Sequence, residues 1–137
     1  MSLPQAVKHI PKPKTYGLRI SSEFDFLDIM PLEKSENWVG IFEYHFDDIW
    51  PKCPGRVSPK EVMFNDELAQ KVLSDFREHK DQVDRLLVHC YAGQSRSPAV
   101  AIALNEIFNL GYDSEEMKEE YPGYNQFVYE MLLRNSK

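Results

Sequence analysis

The feature that most restricts the fold of this chain is the segment LLVHCYAGQSRSPAV, in which an apolar run leads through a short polar stretch into a helix-forming sequence. Residues 86–89 are predicted to form a short buried strand of the kind found in parallel sheets. A helix is predicted over about residues 98–110, with Ser97 as its N-cap, Pro98 as its first residue and Gly111 as its terminator. A buried strand that leads closely into a helix is typical of α/β folds.

The rest of the chain fits the same class. Strands are predicted where β-branched and aromatic residues concentrate, and helices where apolar residues recur at helical spacing. In chain order, these further elements are strands over residues 15–22 and 38–46 and helices over about residues 65–79, 114–120 and 125–133. Residues 23–37 show no clear period, and residues 47–59 form a proline-containing loop. We therefore predict a small, mainly parallel central sheet flanked by helices.

Length, charge and cysteine content narrow the class of protein. The chain has 137 residues, and we expect residues 1–14 to form an N-terminal arm and residues 15–137 a single domain. Its net charge of −6 argues against nucleic acid as a general partner. We expect neither a membrane span, which needs roughly 20 apolar residues, nor a secretory signal. The chain has two cysteines, Cys53 and Cys90, which are too few for the disulfide framework of a secreted fold. We therefore expect a cytoplasmic protein with free thiols.

The stretch between the predicted strand and helix has the composition of an anion-binding loop. Cys90 ends the strand, and Arg96 lies just before the helix; we refer to residues 90–96 as the anion loop. Its backbone N–H groups can turn inward to form a nest, to which the helix N-terminus adds its own N–H groups. The N–H groups of the nest belong to Tyr91, Ala92, Gly93, Gln94 and Ser95. Gly93 permits dihedral angles that a side chain would forbid, and Arg96 can grip two anion oxygens, so a phosphate-like ligand is predicted.

Cys90 is the candidate nucleophile of this loop. Inward N–H groups, the positive end of the helix and Arg96 all favour a thiolate over a thiol. A thiolate at the floor of the loop would be aimed at the phosphorus of a bound monoester. Ser97 could donate a hydrogen bond to the sulfur, and His89 could brace the loop through its ring nitrogens.

The segment HCYAGQSRS resembles the HCxxGxxR[ST] signature of the cysteine-dependent protein tyrosine and dual-specificity phosphatases. The resemblance covers the anion loop with its flanking strand and helix; from residue 38 to 133 it rests on the order of the elements. It implies a phosphotyrosine protein phosphatase II-type fold, a phosphocysteine intermediate, and neither a metal nor another cofactor. By this match Cys90 is the nucleophile, Arg96 binds phosphate and Ser97 aids turnover. The substrates implied are phosphorylated proteins or small phosphate esters, and phosphate, sulfate and vanadate would inhibit.

The resemblance also implies a mobile aspartate that acts as the general acid, on a loop that follows a strand. Here the segment YHFDDIW ends the predicted strand over residues 38–46. Asp48 and Asp47 are both candidates, and they would point in opposite directions if the strand geometry continued. We favour Asp48, and Asp47 stays open as the alternative.

Other functions remain open at this point. The chain is short, so it looks more like the compact dual-specificity group, with phosphotyrosine the favoured substrate because a deep nest suits it. Inositol phosphates, phosphoinositides or RNA 5′-phosphates are an alternative, although the loop contains no lysine. A third possibility is a module that binds phosphate without turnover. The simplest alternative makes Cys90 a small core residue and Arg96 a surface charge.

Several residues outside the anion loop also have candidate roles. Cys53 could form a redox disulfide with Cys90, although an incidental loop cysteine is the more common case. Asn125 is predicted to cap the last helix, with a lesser possibility that it supports the anion loop. Candidates for an anion-attracting rim are Arg19, Lys52, Arg56 and Lys60, which more often only confer solubility.

Overall fold

The computed structural model of the chain describes residues 2–8, 10–22, 32, 34–49, 63–91 and 93–137. Its strands are β1 (Thr15–Ser21), β2 (Trp38–His45) and β3 (Arg85–His89). Its helices are α1 (Leu3–Lys8), α2 (Asp66–His79), α3 (Arg96–Phe108), α4 (Ser114–Glu120) and α5 (Gln126–Asn135), and a 3₁₀ turn follows α2 at Lys80–Gln82. The predicted α/β class with a small parallel sheet is confirmed.

The described strands form one sheet in the order β2-β1-β3, and both pairs are parallel. In the register of the sheet, Arg19 in the central strand lies between Glu43 on β2 and His89 on β3. Because the strands are parallel, their carboxyl ends meet at one edge of the sheet. The chain leaves β2 and β3 at that edge, which brings the segment after β2 close to the anion loop.

One face of the sheet carries the main apolar core. Tyr16, Leu18 and Ile20 alternate along β1 and are fully buried on this face. Helix α2 supplies Phe76, whose ring meets the Tyr16 ring edge-on at a centroid distance of 5.1 Å. Helices α3 and α5 pack beside α2 in the same core. These contacts hold the N-terminus of α3 at the carboxyl edge of the sheet.

The opposite face of the sheet has a smaller apolar cluster and a polar row in which Arg19 and His89 are buried. Ala6 of α1, Leu32 and Leu87 of β3 are buried together there, with Trp38 packed against them. Part of the predicted N-terminal arm is therefore a short helix that contacts the sheet through Ala6. The polar row is formed by the side chains of Glu43, Arg19 and His89.

The ends of α3 differ from the prediction. The N-cap position is Ser95 rather than Ser97, because the Ala99 N–H donates to the Ser95 carbonyl and closes the first turn. Pro98 is thus the third helical residue, where its missing N–H costs nothing, since the first four N–H groups of a helix lack intrahelical partners. The last helical residue is Phe108, and Asn109 caps the helix with a left-handed φ of 53° before Gly111 is reached.

Helices α2, α4 and α5 begin close to their predicted starts because each has a capping side chain. Asn65 accepts from the Leu68 N–H at 2.8 Å and begins α2. Asn125 does the same for α5. Among the helices in the described part of the chain, none has the length and apolarity needed to cross a membrane.

Candidate active site

Strand β3 delivers Cys90 to the carboxyl edge of the sheet, where the chain turns into the anion loop. The Cys90 side chain is 2% exposed. The Gly93 backbone N–H donates to its Sγ at 3.2 Å, so the loop curls around the sulfur. Gly93 adopts a φ of 75°, a left-handed conformation that disfavours residues with a side chain. The expectation that Gly93 would supply an unusual backbone angle is confirmed.

Ser97 lies next to the sulfur from the helix side. Its Oγ is 3.4 Å from the Cys90 Sγ, within hydrogen-bond distance for a sulfur atom. Ser97 is the second residue of α3 and is 1% exposed, so the packing of the helix holds its hydroxyl in place. When Cys90 is a thiolate, this hydroxyl can donate to it.

Arg96 joins the anion loop to the end of β2. Its side chain is buried, and its Nη1 donates to the Phe46 carbonyl at 3.0 Å. A guanidinium is planar and carries five N–H donors, so one fixed bond restricts the plane in which the others lie. The structure thus places a buried, oriented cation at the first residue of α3.

His89 lies behind the anion loop and is fully buried. The Arg19 Nε donates to the His89 Nε2 at 2.8 Å, which leaves the proton on Nδ1. Nδ1 lies 3.3 Å from the Cys90 carbonyl, so it can donate to the loop backbone. Burial, and secondarily the charge of Arg19, lowers the pKa of His89 to about 4. The imidazole is therefore neutral at pH 7, and the contact predicted for it with the loop is present.

Arg19 has a different place from the one its sequence context indicates. It is not at a rim: its side chain is 4% exposed, behind the loop, and its Nη1 lies 3.6 Å from the Glu43 carboxylate. Nothing local in the sequence separates Arg19 from a solubilising surface arginine. The useful signal is its position in β1, an otherwise buried strand. Lys52, Arg56 and Lys60 lie outside the described residues.

Asp48 is held against the anion loop. Its Oδ1 accepts from the Ser95 hydroxyl at 2.8 Å and from the Asn125 Nδ2 at 2.7 Å. The side chain remains exposed, whereas that of the neighbouring Asp47 is 8% exposed. We refer to residues 46–49 as the acid segment. The structure thus bonds Asp48 to the anion loop through the Ser95 hydroxyl.

Asn125 connects three parts of the molecule and is fully buried. Its Oδ1 accepts from the Val128 N–H, which is the predicted cap of α5. Its backbone N–H donates to the Ser95 carbonyl at 3.0 Å. Its Nδ2 donates to Asp48 and to the Ile49 carbonyl at 3.3 Å. Both sequence-based expectations for Asn125, a helix cap and a support of the loop, match these contacts.

The remaining predicted residues of the loop occupy its outer side. Tyr91 is 49% exposed and Gln94 is exposed, so their side chains lie at the rim. Ala92 and Cys53 lie outside the described residues, and the proposed Cys53–Cys90 disulfide therefore stays a hypothesis.

The chain matches no protein-family model, and no curated protein matches it in sequence. The functional interpretation therefore depends on the arrangement of side chains around Cys90. A thiol at the floor of a loop, a hydroxyl at its sulfur, a buried guanidinium and a nearby carboxylate are the groups that nucleophilic attack on an anionic ester requires.

Proposed function

We propose that this protein is a cysteine-dependent phosphatase that hydrolyses phosphate monoesters, above all phosphotyrosine in proteins, through a phosphocysteine intermediate. The observation that carries the proposal is the position of Cys90. Its sulfur accepts from the Gly93 N–H at the floor of the anion loop, between a parallel strand and the N-terminus of a helix. We include in the proposal that the α/β fold is of the phosphatase type.

In the first step, the Cys90 thiolate attacks phosphorus and forms an S–P bond while the bond from phosphorus to the ester oxygen breaks. The Asp48 carboxyl group donates its proton to the leaving oxygen. The loop N–H groups and the Arg96 guanidinium stabilise the charge on the other phosphoryl oxygens. The products of this step are an alcohol or phenol and the phosphocysteine.

In the second step, water attacks the phosphorus of the phosphocysteine. The Asp48 carboxylate takes a proton from this water, and the S–P bond breaks with its electron pair returning to sulfur. The Ser97 hydroxyl, 3.4 Å from the sulfur, donates a hydrogen bond to the departing thiolate. Inorganic phosphate then leaves the loop and the enzyme returns to its starting state.

Burial of the nucleophile supports an aryl ester as the substrate. Cys90 is 2% exposed, so a phosphate must reach below the rim of the loop to meet the sulfur. A phosphotyrosine extends further from its backbone than a phosphoserine does. The exposed ring of Tyr91 lies at the rim, where it can pack against an aromatic substrate. The chemistry needs Cys90 as a free thiol, which fits the proposed location in the cytoplasm.

The first test is hydrolysis of an aryl phosphate and of a phosphotyrosyl peptide by the native protein and by Cys90→Ser, across pH and without added metal. We expect turnover by the native protein and a loss of at least about 10³-fold in the variant. Asp48→Asn and Asp47→Asn are assayed in the same way. The variant that loses activity identifies the general acid. A native protein that binds vanadate but hydrolyses no monoester would instead be a phosphate-binding module.

A further inference from the structure

Asn125 is the residue through which the acid segment is attached both to the anion loop and to α5. We infer that Asn125 is a positioning residue that aims the reacting oxygen of Asp48 at the leaving group. This inference rests on the proposed function, because it assigns Asn125 a part in the proton transfer by Asp48. It adds to the capping of α5, which the same side chain performs through its other end.

The orientation of the Asn125 amide is determined by its contacts. The Oδ1 atom accepts from the Val128 N–H at 3.1 Å, so it must face the backbone of α5. The Nδ2 atom therefore faces the acid segment, where it meets the carboxylate of Asp48 and the carbonyl of Ile49. Because the side chain is fully buried, its polar atoms depend on these protein partners for their hydrogen bonds.

The bonds to Asp48 decide which of its oxygens can react. Both donors, the Ser95 hydroxyl and the Asn125 Nδ2, bind the same atom, Oδ1. In a neutral carboxylic acid the carbonyl oxygen accepts hydrogen bonds while the other oxygen carries the proton. The proton of Asp48 is therefore expected on Oδ2. Oδ1 can accept hydrogen bonds in both protonation states of Asp48. The same two bonds can therefore position Asp48 when it acts as the acid of the first step and as the base of the second.

Asn125 also bonds to backbone carbonyls on both sides, and these bonds fix the spacing between the anion loop and the acid segment. Its N–H donates to the Ser95 carbonyl, and its Nδ2 to the Ile49 carbonyl. One buried residue thus ties the anion loop, which holds the ester, to the acid segment, which must protonate it. Loss of the Nδ2 donor removes two of these bonds without altering the groups that bind phosphate or attack it.

The test is the dependence of kcat/KM on the leaving group in the variant Asn125→Ser. Serine is also a good helix N-cap, so α5 keeps its start, but its side chain is too short to reach Asp48. A dinitrophenyl phosphate has a leaving group that departs with little need of a proton, whereas phenyl phosphate needs one. We expect kcat/KM to fall by about 10- to 100-fold for phenyl phosphate and by less than about threefold for the dinitrophenyl ester.

Two further variants separate positioning from general damage. Asn65→Ser makes the same replacement at the cap of α2, and we expect it to leave the leaving-group dependence unchanged. In an Asp48→Ala background, Asn125→Ser should cause no further loss on phenyl phosphate, because the residue acts through Asp48. If Asn125→Ser does not fold, Asn125→Thr offers another hydroxyl cap for α5 that is also too short to donate to Asp48, and the same selective loss is expected.

Three outcomes would overturn the inference. An equal loss on both esters would assign Asn125 a structural role alone. An additive loss in the Asp48→Ala background would show that Asn125 does not act through that carboxyl group. A native protein that hydrolyses neither ester would overturn the proposed function itself, and is distinguished from the other two by the failure of the unmodified chain.

Discussion

At the scale of single residues, the chemistry of this protein is concentrated on one sulfur atom and the groups that touch it. The Cys90 Sγ lies between the Gly93 N–H and the Ser97 hydroxyl. Behind it, the neutral imidazole of His89 links Arg19 to the loop backbone. These groups contact the loop from different sides. Single substitutions among them should therefore separate effects on turnover from effects on the stability of the fold and its pH dependence.

Ser97→Ala tests the hydrogen bond to the departing thiolate. Without the hydroxyl, the S–P bond of the phosphocysteine should break more slowly, by about 10- to 100-fold, the effect of one hydrogen bond to a charged group. Because charge on the sulfur is consumed in the first step and created in the second, kcat should fall much more than kcat/KM. Rapid-quench kinetics should show a burst of released phenol equal to the enzyme concentration. Equal losses in kcat and kcat/KM would contradict this assignment.

His89→Gln tests the effect of the buried imidazole on stability. The pKa of His89 is about 4 in the folded protein against 6.5 as its ordinary value. Between these values the unfolded chain binds a proton that the folded protein does not, so acid favours unfolding. The neutral His89 therefore contributes up to about 3 kcal/mol to the free energy of unfolding. This contribution is fully present above pH 6.5 and is lost as the pH falls to about 4.

Glutamine keeps an acceptor for the Arg19 Nε but cannot titrate in this range. Urea unfolding of both proteins between pH 4 and pH 7 should therefore show a shallower fall in the free energy of unfolding for His89→Gln. Parallel pH profiles for the two proteins would show that His89 is not the group responsible.

At the scale of the elements, the anion loop depends on how β3 and α3 are joined. The helix begins at Arg96 rather than at Pro98, so Ser97 lies inside the first turn and faces the sulfur. The turn that makes this possible includes Gly93, with its φ of 75°. Local sequence rules place the helix start two residues late because the capping preference of serine applies equally well to Ser95 and Ser97.

Gly93→Ala tests the backbone of the loop. A Cβ at this φ should destabilise the protein by about 1–2 kcal/mol and displace the N–H that donates to Cys90. The matched control is Gly111→Ala, at a φ of 95° with open space around it. Thermal unfolding should show a loss of stability in both variants, whereas activity should fall in Gly93→Ala alone. Normal activity in Gly93→Ala would mean that the loop does not need this backbone conformation.

At the scale of the whole molecule, the main apolar core packs one face of the sheet against α2, α3 and α5. Phe76 of α2 packs in this core against the rings of Tyr16 and Phe108. Phe76→Ala should lower the free energy of unfolding by about 3–5 kcal/mol, since it removes buried area and leaves a cavity. Denaturant unfolding should show a lower midpoint with an unchanged slope. A loss below about 1 kcal/mol would mean that the core collapses around the vacancy.

The sequence by itself determined the features that depend on neighbours along the chain. Apolar residues at helical spacing located α2, and the predicted cap Asn125 located the start of α5. The run of apolar residues before Cys90 located β3, and the glycine of the anion loop indicated its turn. These signals are local because a hydrogen bond within one helical turn or one tight loop joins residues only a few positions apart.

Only the tertiary structure decided which distant residues meet at the loop. Asn125 and Asp48 are 77 positions apart, and Arg19 and His89 are 70 positions apart. The pairing of parallel strands and the packing of α5 beside α3 create these contacts. A hydrogen bond across such a separation imposes no periodicity or spacing on the chain. The anchoring of Asp48 and the burial of Arg19 therefore follow from the fold, where parallel strands end at a common edge.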